Sequence, residues 1–186
     1  RENTVGDYNT SIGTSAMLYN TSGLENTAVG AFSLNENTTG SYNVAIGNAS
    51  LKNNIDGDDN VPIGETALYH NVGGNGSVAI GEGAMYYAND AATYFTPDNV
   101  AVGRQALYGG STPGLNTGTQ NTAVGANSLK INTSGYSNTA TGANCLDENN
   151  TGYNNTAHGY LALTSNTSGI GNTAIGSSAL ASNTTG

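Results

Sequence analysis

The chain has 186 residues, with 27 Gly, 9% charged residues and no Trp, which is not the composition of an ordinary globular domain. Its formal net charge is -9, from four Lys plus Arg against thirteen Asp plus Glu, and this sign opposes binding to a phosphate backbone. We therefore expect neither nucleic acid nor an anionic membrane as a partner. No apolar run is long enough for membrane insertion.

One pattern recurs throughout the chain and appears at 121–129 as Asn-Thr-Ala-Val-Gly-Ala-Asn-Ser-Leu. Seven of nine steps between copies are 17 residues long, and two adjacent steps are 22. The ninth position is always Leu or Met, and a disordered low-complexity chain would not keep an apolar residue in phase. The copies begin at residues 9, 26, 43, 60, 77, 99, 121, 138, 155 and 172. The sequence predicts a single repeat array over 1–186, and its in-phase ends suggest part of a longer chain.

Each copy begins with an alternating segment that predicts a short strand. Positions two (Thr or Val) and four (mostly Ile or Val) lie on one face, and the small residue at position three, mostly Ala, lies on the other. After the Gly at position five, we expect a second short strand that carries the Ala/Ser-Leu pair of positions eight and nine. Asn-Thr-Thr-Gly at 37–40 and its equivalents predict a corner, since Asn and Gly tolerate left-handed turns. These elements predict an all-β protein, a parallel β-solenoid of ten coils.

The Asn at position one recurs in nearly every copy. Stacked coils would align these side chains into an amide ladder along the solenoid axis. The column consists of Asn9, Asn26, Asn43, Asn60, Asn99, Asn121, Asn138, Asn155 and Asn172.

The third corner departs from the repeat by being acidic. Asp56, Asp58 and Asp59 surround a Gly, and carboxylates in this arrangement are candidate Ca²⁺ ligands. The alternative is a solvated acidic corner without metal. No other cofactor is expected.

Two adjacent insertions, within 86–98 and 108–120, follow the same repeat position and should emerge side by side. They carry Tyr86, Tyr87, Tyr94, Phe95 and Tyr108, together with Asp90 and Asp98. Departures from a repeat often lie on a binding face, so this aromatic bulge is a candidate contact for sugar or protein. The alternative is that the rings only hold the longer loops in place.

The sequence offers little catalytic chemistry. His70 and His158 are its two histidines, and His158 lies in the apolar column of position four, which predicts a core histidine. Cys145 replaces the usual Ala or Ser at position eight and is expected to be a small buried thiol. Without a nucleophile motif, a zinc spacing or a phosphate loop, the chain is not expected to be an enzyme.

The stretches at 43–47, 75–81 and 172–176 read Asn-Val-Ala-Ile-Gly, Asn-Gly-Ser-Val-Ala-Ile-Gly and Asn-Thr-Ala-Ile-Gly. They resemble the Asn-Ser-Val-Ala-Ile-Gly motif of YadA-like heads in trimeric autotransporter adhesins. The resemblance implies a homotrimer of left-handed β-rolls that binds a host-surface protein or glycan. Ala and Leu would fill each roll, and positions two and four would face the trimer axis. The implied interface is Ile12, Val29, Ile46, Ile63, Ile80, Val102, Val124 and Ile175. The period of 17 departs from that family and is similar to repeats in bacteriophage tail fibres.

The leading hypothesis is therefore an extracellular structural and adhesive fibre segment on a bacterial surface or a virion. A tail-fibre shaft and a self-assembling extracellular filament are alternatives with the same architecture. A fourth is an ice-binding solenoid, motivated by one column of threonines: Thr21, Thr38, Thr133, Thr167 and Thr184.

Overall fold

In the computed structural model, which describes residues 5–87, 95–111 and 116–186, ten short strands form one parallel sheet. The strands are β1 (Thr10–Ile12), β2 (Thr27–Val29), β3 (Val44–Ile46), β4 (Val61–Ile63), β5 (Val78–Ile80), β6 (Val100–Val102), β7 (Thr122–Val124), β8 (Thr139–Thr141), β9 (Thr156–His158) and β10 (Thr173–Ile175). Neighbours in the sheet are neighbours in the chain, and equivalent repeat residues pair, as Ala28 does with Ala45. The predicted all-β parallel solenoid is confirmed, and the described residues contain no helix.

Alternation along each strand separates an inner from an outer face. Ala28, Ala45 and Ala123 at position three are fully buried, whereas residues at positions two and four are partly or fully exposed. The buried alanines join the Leu and Met side chains of position nine in one continuous hydrophobic core. As expected, Ala and Leu fill the interior, and the β-branched residues form the outer surface of the sheet.

The second strand predicted for each coil is wrong. Positions eight and nine lie within consecutive turns, and Leu34 at position nine has a φ of 51°. The reason is that Ser33 and Leu34, adjacent in the chain, are both fully buried, whereas an extended strand would point them to opposite sides. Bonds to both neighbouring coils persist, because the Leu34 N–H donates to Ser50 O at 2.9 Å and the Phe32 N–H donates to Thr14 O at 2.9 Å.

The predicted amide ladder is present beside the strands. The backbone N–H of Asn43 donates to Asn26 Oδ1 at 2.9 Å, and the backbone N–H of Asn60 donates to Asn43 Oδ1 at 3.0 Å. The side-chain amide of Asn43 donates to Gly57 O at 2.9 Å. Since Asn26, Asn43 and Asn60 are fully buried, each side chain replaces water as a partner for the backbone of the following coil.

A second amide ladder, which the sequence analysis did not predict, runs through the corners at position twelve. Asn37 Nδ2 donates to Asn20 Oδ1 at 2.8 Å, and Asn54 Nδ2 donates to Asn37 Oδ1 at 2.8 Å. The same bond joins Asn149 to Asn132 at 2.9 Å. The ladder members are Asn20, Asn37, Asn54 and Asn71 before the insertions, and Asn132, Asn149, Asn166 and Asn183 after them.

Two glycine columns let the coils approach closely. A Cβ on Gly103 would lie 2.6 Å from the carbonyl carbon of Gly125 in the next coil, and Gly103 also has a φ of 136°. A Cβ on Gly57 would lie 2.5 Å from both Asn54 Oδ1 and Gly74 O. The glycines at positions five and fifteen therefore bring the backbone of one coil into contact with the next.

Candidate assembly and binding surfaces

The outer face of the sheet, here called the strand face, consists of positions two and four of the ten strands. All eight predicted interface residues lie on it. Ile46, Ile80 and Val124 each expose 37% of their surface, and Ile12 and Ile175 in the outermost strands expose 60% and 73%. Stacked neighbours cover part of each inner side chain, so the structure leaves a stripe of residues that are β-branched except at His158. Between the outermost strands, the apolar residues of this stripe expose about a third of their surface or less.

This face changes character along the solenoid. From β3 to β6 both outward positions are apolar, as in Val61 with Ile63 and Val78 with Ile80. In β8 and β9 the same positions hold three threonines and His158. The prediction of a core histidine is wrong, because His158 is exposed on the outward side of β9.

Five aromatic rings gather on one side of coils four to six. Tyr69, Tyr86 and Tyr108, here called the tyrosine ladder, occupy the same repeat position in successive coils. The rings of Tyr69 and Tyr86 stack at 5.2 Å between centroids, and those of Tyr86 and Tyr108 stack at 5.3 Å. A second column, here called the outer pair, consists of His70 and Tyr87, which stack at 5.3 Å. All five side chains are partly exposed.

The two columns meet edge to face. The ring of Tyr87 is 86° from that of Tyr86 and 89° from that of Tyr108, with centroids 4.8 Å and 5.3 Å away. His70 makes the same kind of contact with Tyr86 at 5.2 Å. Such pairs stabilise beyond their buried area, so ring contacts within and between the two columns stabilise this group of five residues, here called the aromatic cluster.

Lys52 closes one end of the tyrosine ladder. Its Nζ lies 3.1 Å from the Tyr69 hydroxyl and 5.3 Å from the ring centroid. The hydrogen bond to Tyr69 raises the pKa of Lys52. Burial, followed by the neighbouring tyrosines, raises the pKa of Tyr86 and of Tyr108. At neutral pH these two hydroxyls therefore keep their protons and Lys52 keeps its charge.

The structure brings together only part of the predicted aromatic bulge. Tyr86, Tyr87 and Tyr108 belong to the cluster, whereas Phe95 bridges to Gly74 and lines a cavity with Tyr87. Tyr94 and Asp90 lie outside the described residues. Tyr69 and His70 lie before the insertions in the sequence and were therefore not predicted to belong to this bulge. The available signal was the spacing, since each lies 17 residues before its stacking partner.

The acidic corner shows hydrogen bonding within the protein. Asp58 Oδ1 accepts from the Ser41 N–H at 2.7 Å, and the Asp58 N–H donates to Asn75 Oδ1 at 2.5 Å. Asp56 and Asp59 are exposed. Throughout the described ranges, no three His, Cys, Asp or Glu side chains are grouped so that they could hold a metal ion. In this geometry Asp56, Asp58 and Asp59 do not form such a group.

Cys145 is fully buried, and burial raises its pKa to about 11. Its Sγ donates to Ala157 O at 3.3 Å, as Ser33 Oγ does to Ala45 O at 2.8 Å in an equivalent coil. The thiol is buried, as expected from its repeat position, and it also takes the place of the serine hydroxyl of other coils as a hydrogen-bond donor.

The threonine column is engaged within the protein. Thr38 Oγ1 donates to Ile55 O at 3.0 Å, and Thr167 Oγ1 donates to Thr184 O at 3.1 Å. These hydroxyl hydrogens point along the solenoid to the next coil, which does not favour the ice-binding alternative.

The part of the chain that the structure describes includes no helix with the length and apolarity to cross a membrane. The chain matches no family model, no curated protein and no solved structure. The strand face and the aromatic cluster are therefore the basis for proposals about its function.

Proposed function

We propose that this chain is a segment of an extracellular adhesive fibre in which three copies associate through their strand faces. The observation that supports this most is the partly exposed stripe of side chains along the outer face of the sheet, in which both outward positions are apolar from β3 to β6. Exposed apolar surface that is continuous over several strands marks an interaction site. The motif at 43–47 and its equivalents, which resemble YadA-like heads, supplies the three-fold arrangement.

The shape of the strand face suits an axis shared by identical copies. Each strand has three residues, so the stripe is only about 10 Å wide at about 3.3 Å per residue. Three parallel copies in register would place equivalent coils at the same height and cover the stripe along the whole solenoid.

The energy of the contact depends on the whole stripe. Covering the exposed third of one Val or Ile is worth about 0.7 kcal/mol, so eight such residues supply about 6 kcal/mol per copy. Association itself costs from about 4 to 15 kcal/mol. The net affinity is therefore sensitive to one charged residue at the centre of the face.

The test is the solution mass of the wild type, Ile80→Lys and Thr39→Lys, measured by sedimentation over a dilution series. Ile80 lies at the centre of the strand face, and Thr39 is an exposed corner residue that provides the matched control. We expect trimers for the wild type and Thr39→Lys, and monomers for Ile80→Lys, because a buried unpaired ammonium is costly.

Circular dichroism on the same samples shows whether each variant is folded. A monomeric wild type, or an Ile80→Lys protein that remains trimeric, would reject the strand face as the interface. Open-ended growth of the wild type would instead indicate a filament.

A further inference from the structure

We infer that the tyrosine ladder and the outer pair bind an extended, uncharged, β-1,4-linked glycan that lies along the solenoid. This inference rests on the proposed adhesive role and names a ligand class for it. It depends on the orientation of the rings, on their spacing and on the local charge.

Ring orientation comes first. Rings are nearly parallel within each column, with angles of 10° between Tyr86 and Tyr108 and 12° between His70 and Tyr87. Between columns they are nearly perpendicular, at 86° for Tyr86 and Tyr87. Both columns run along the solenoid axis, so their ring normals cannot both lie along it. At least one column is therefore inclined to the axis. Inclined rings overlap only in part, and since all five side chains are partly exposed, aromatic surface remains accessible along the solenoid.

Ring spacing favours a glycan over other linear ligands. Successive rings in the tyrosine ladder are 5.2 and 5.3 Å apart, which is one ring per coil. In an extended β-1,4-linked glycan, each sugar residue advances the chain by about the length of one pyranose ring, which is close to the spacing of the tyrosine rings. Successive sugars can therefore contact successive rings. A polyproline helix advances by only about 3.1 Å per residue and would lose this match after one step.

Local charge favours an uncharged ligand. The chain carries a formal charge of -9, which repels anionic glycans and nucleic acid. Lys52 is directed to the Tyr69 hydroxyl, and Glu36 is among the charges that raise its pKa. The protonated hydroxyls of Tyr86 and Tyr108 are neutral donors suited to sugar hydroxyls.

The chain contains a natural control. Tyr136 and Tyr153 also stack, at 4.6 Å and 6°, but no second aromatic column crosses them among the described ring contacts. If any stacked pair of tyrosines were sufficient, both places would bind sugar equally well. Our inference predicts binding only at the aromatic cluster.

The experiment is calorimetric titration of the full chain with a soluble β-1,4-glucan oligosaccharide and with its N-acetylglucosamine counterpart. We compare the wild type with Tyr86→Ala/Tyr87→Ala and with Tyr136→Ala/Tyr153→Ala. Loss of the two rings should weaken binding by about thirtyfold. The Tyr136/Tyr153 variant should bind like the wild type, and Tyr86→Phe/Tyr87→Phe should retain most of the affinity.

A measurement on the wild type alone avoids variants that fail to fold. Saturation with the oligosaccharide should protect Tyr86 and Tyr87 from nitration, with no protection of Tyr136 or Tyr153. Failure to bind either oligosaccharide, equal protection of all four residues, or binding only of a polyproline peptide or an anionic glycan would overturn the inference. Sedimentation of the same samples separates the two proposals. A trimer without affinity for either oligosaccharide rejects only the ligand, and a monomer that binds one rejects only the assembly.

Discussion

At the scale of single residues, Asn43 shows how a buried amide replaces water. Its Oδ1 accepts from the Asn60 N–H at 3.0 Å, and its Nδ2 donates to Gly57 O at 2.9 Å. Asn48, in the same coil, is exposed, and its contact with Glu65 Oε1 is 3.5 Å long. The same residue type therefore has two energetic roles five positions apart.

We predict that Asn43→Ala lowers the free energy of unfolding by about 2 kcal/mol, because it leaves the buried Asn60 N–H without an acceptor. Gly57 O loses one of its two donors and keeps the side-chain amide of Asn54 at 2.9 Å. The matched change Asn48→Ala should cost less than about 0.5 kcal/mol, as is usual for an exposed residue. Urea unfolding followed by circular dichroism measures both. Equal losses in the two variants would contradict a structural role for the amide ladder.

At the scale of the element, the coil depends on residues in the left-handed region at fixed repeat positions. Thr66 at position seven has a φ of 55°, and Gly83 occupies the equivalent place one coil later with a φ of 63°. A β-branched residue in this region is strained. The bonds between coils offset that strain, since the Thr66 N–H donates to Asn48 O at 2.9 Å.

Thr66→Gly should therefore raise the free energy of unfolding by about 1 kcal/mol, because the strain that it removes, about 1.5 kcal/mol, exceeds the cost of about 0.5 kcal/mol from the added freedom of the unfolded chain. The control is Thr39→Gly, at an exposed residue outside the left-handed region, which should lower stability by about 0.5 kcal/mol through added freedom of the unfolded chain. Thermal unfolding distinguishes the two. A loss of stability in Thr66→Gly similar to that of the control would show that the position is not strained.

The sequence predicted the inside and outside of each strand because alternation is a local signal. Ala123 is fully buried and Val124 exposes 37% of its surface, as their positions implied. It did not predict the backbone at Leu129, which has a φ of 49°, because left-handed conformations are rare for Leu. The burial of two consecutive residues, Ser128 and Leu129, was the signal against a strand.

Longer-range features were only partly predictable. Asn26 and Asn37 recur with the same period, but Asn37 lies in a turn sequence, and its local preference for turns concealed its role in the corner ladder. The aromatic cluster depends on contacts between coils, so Tyr69 could be assigned to it only by aligning coils four and five. Assembly and ligand binding involve partners, and for these the sequence offers a resemblance and no geometry.

At the scale of the whole molecule, the solenoid is a stack of units, and within the described residues each strand contacts only the strands next to it in the sheet. Stability in such arrays is approximately a sum over units and interfaces. Removal of one complete unit should therefore leave a folded, shorter solenoid. Removal of one additional residue should disturb the phase of the repeat.

We predict that deletion of 138–154, which joins Ser137 to Asn155, gives a cooperatively folded protein with β7 paired to β9. Deletion of 138–155 also removes Asn155, whose Oδ1 accepts from the Asn172 N–H at 3.0 Å. After this deletion the segment before β9 is one residue too short. Either the corner is stretched, or β9 shifts its register by one residue, and that shift would turn Ala157 outward. We expect a clearly lower melting temperature for the second deletion. Identical melting curves would indicate that the repeat phase does not control folding.

The corner ladder also makes the solenoid electrically polar. Backbone bonds between coils point both ways, since the Thr27 N–H donates forward to Asn43 O and the Gly47 N–H donates backward to Val29 O. The side-chain amides of the corner ladder all donate toward β1, as Asn54 does to Asn37 and Asn166 does to Asn149. Their dipoles add as those of peptide groups do in a helix, with the positive end toward β1. Solenoids that associate in parallel therefore place dipoles of the same direction side by side. These dipoles repel each other, and the apolar contact between the copies must outweigh that repulsion.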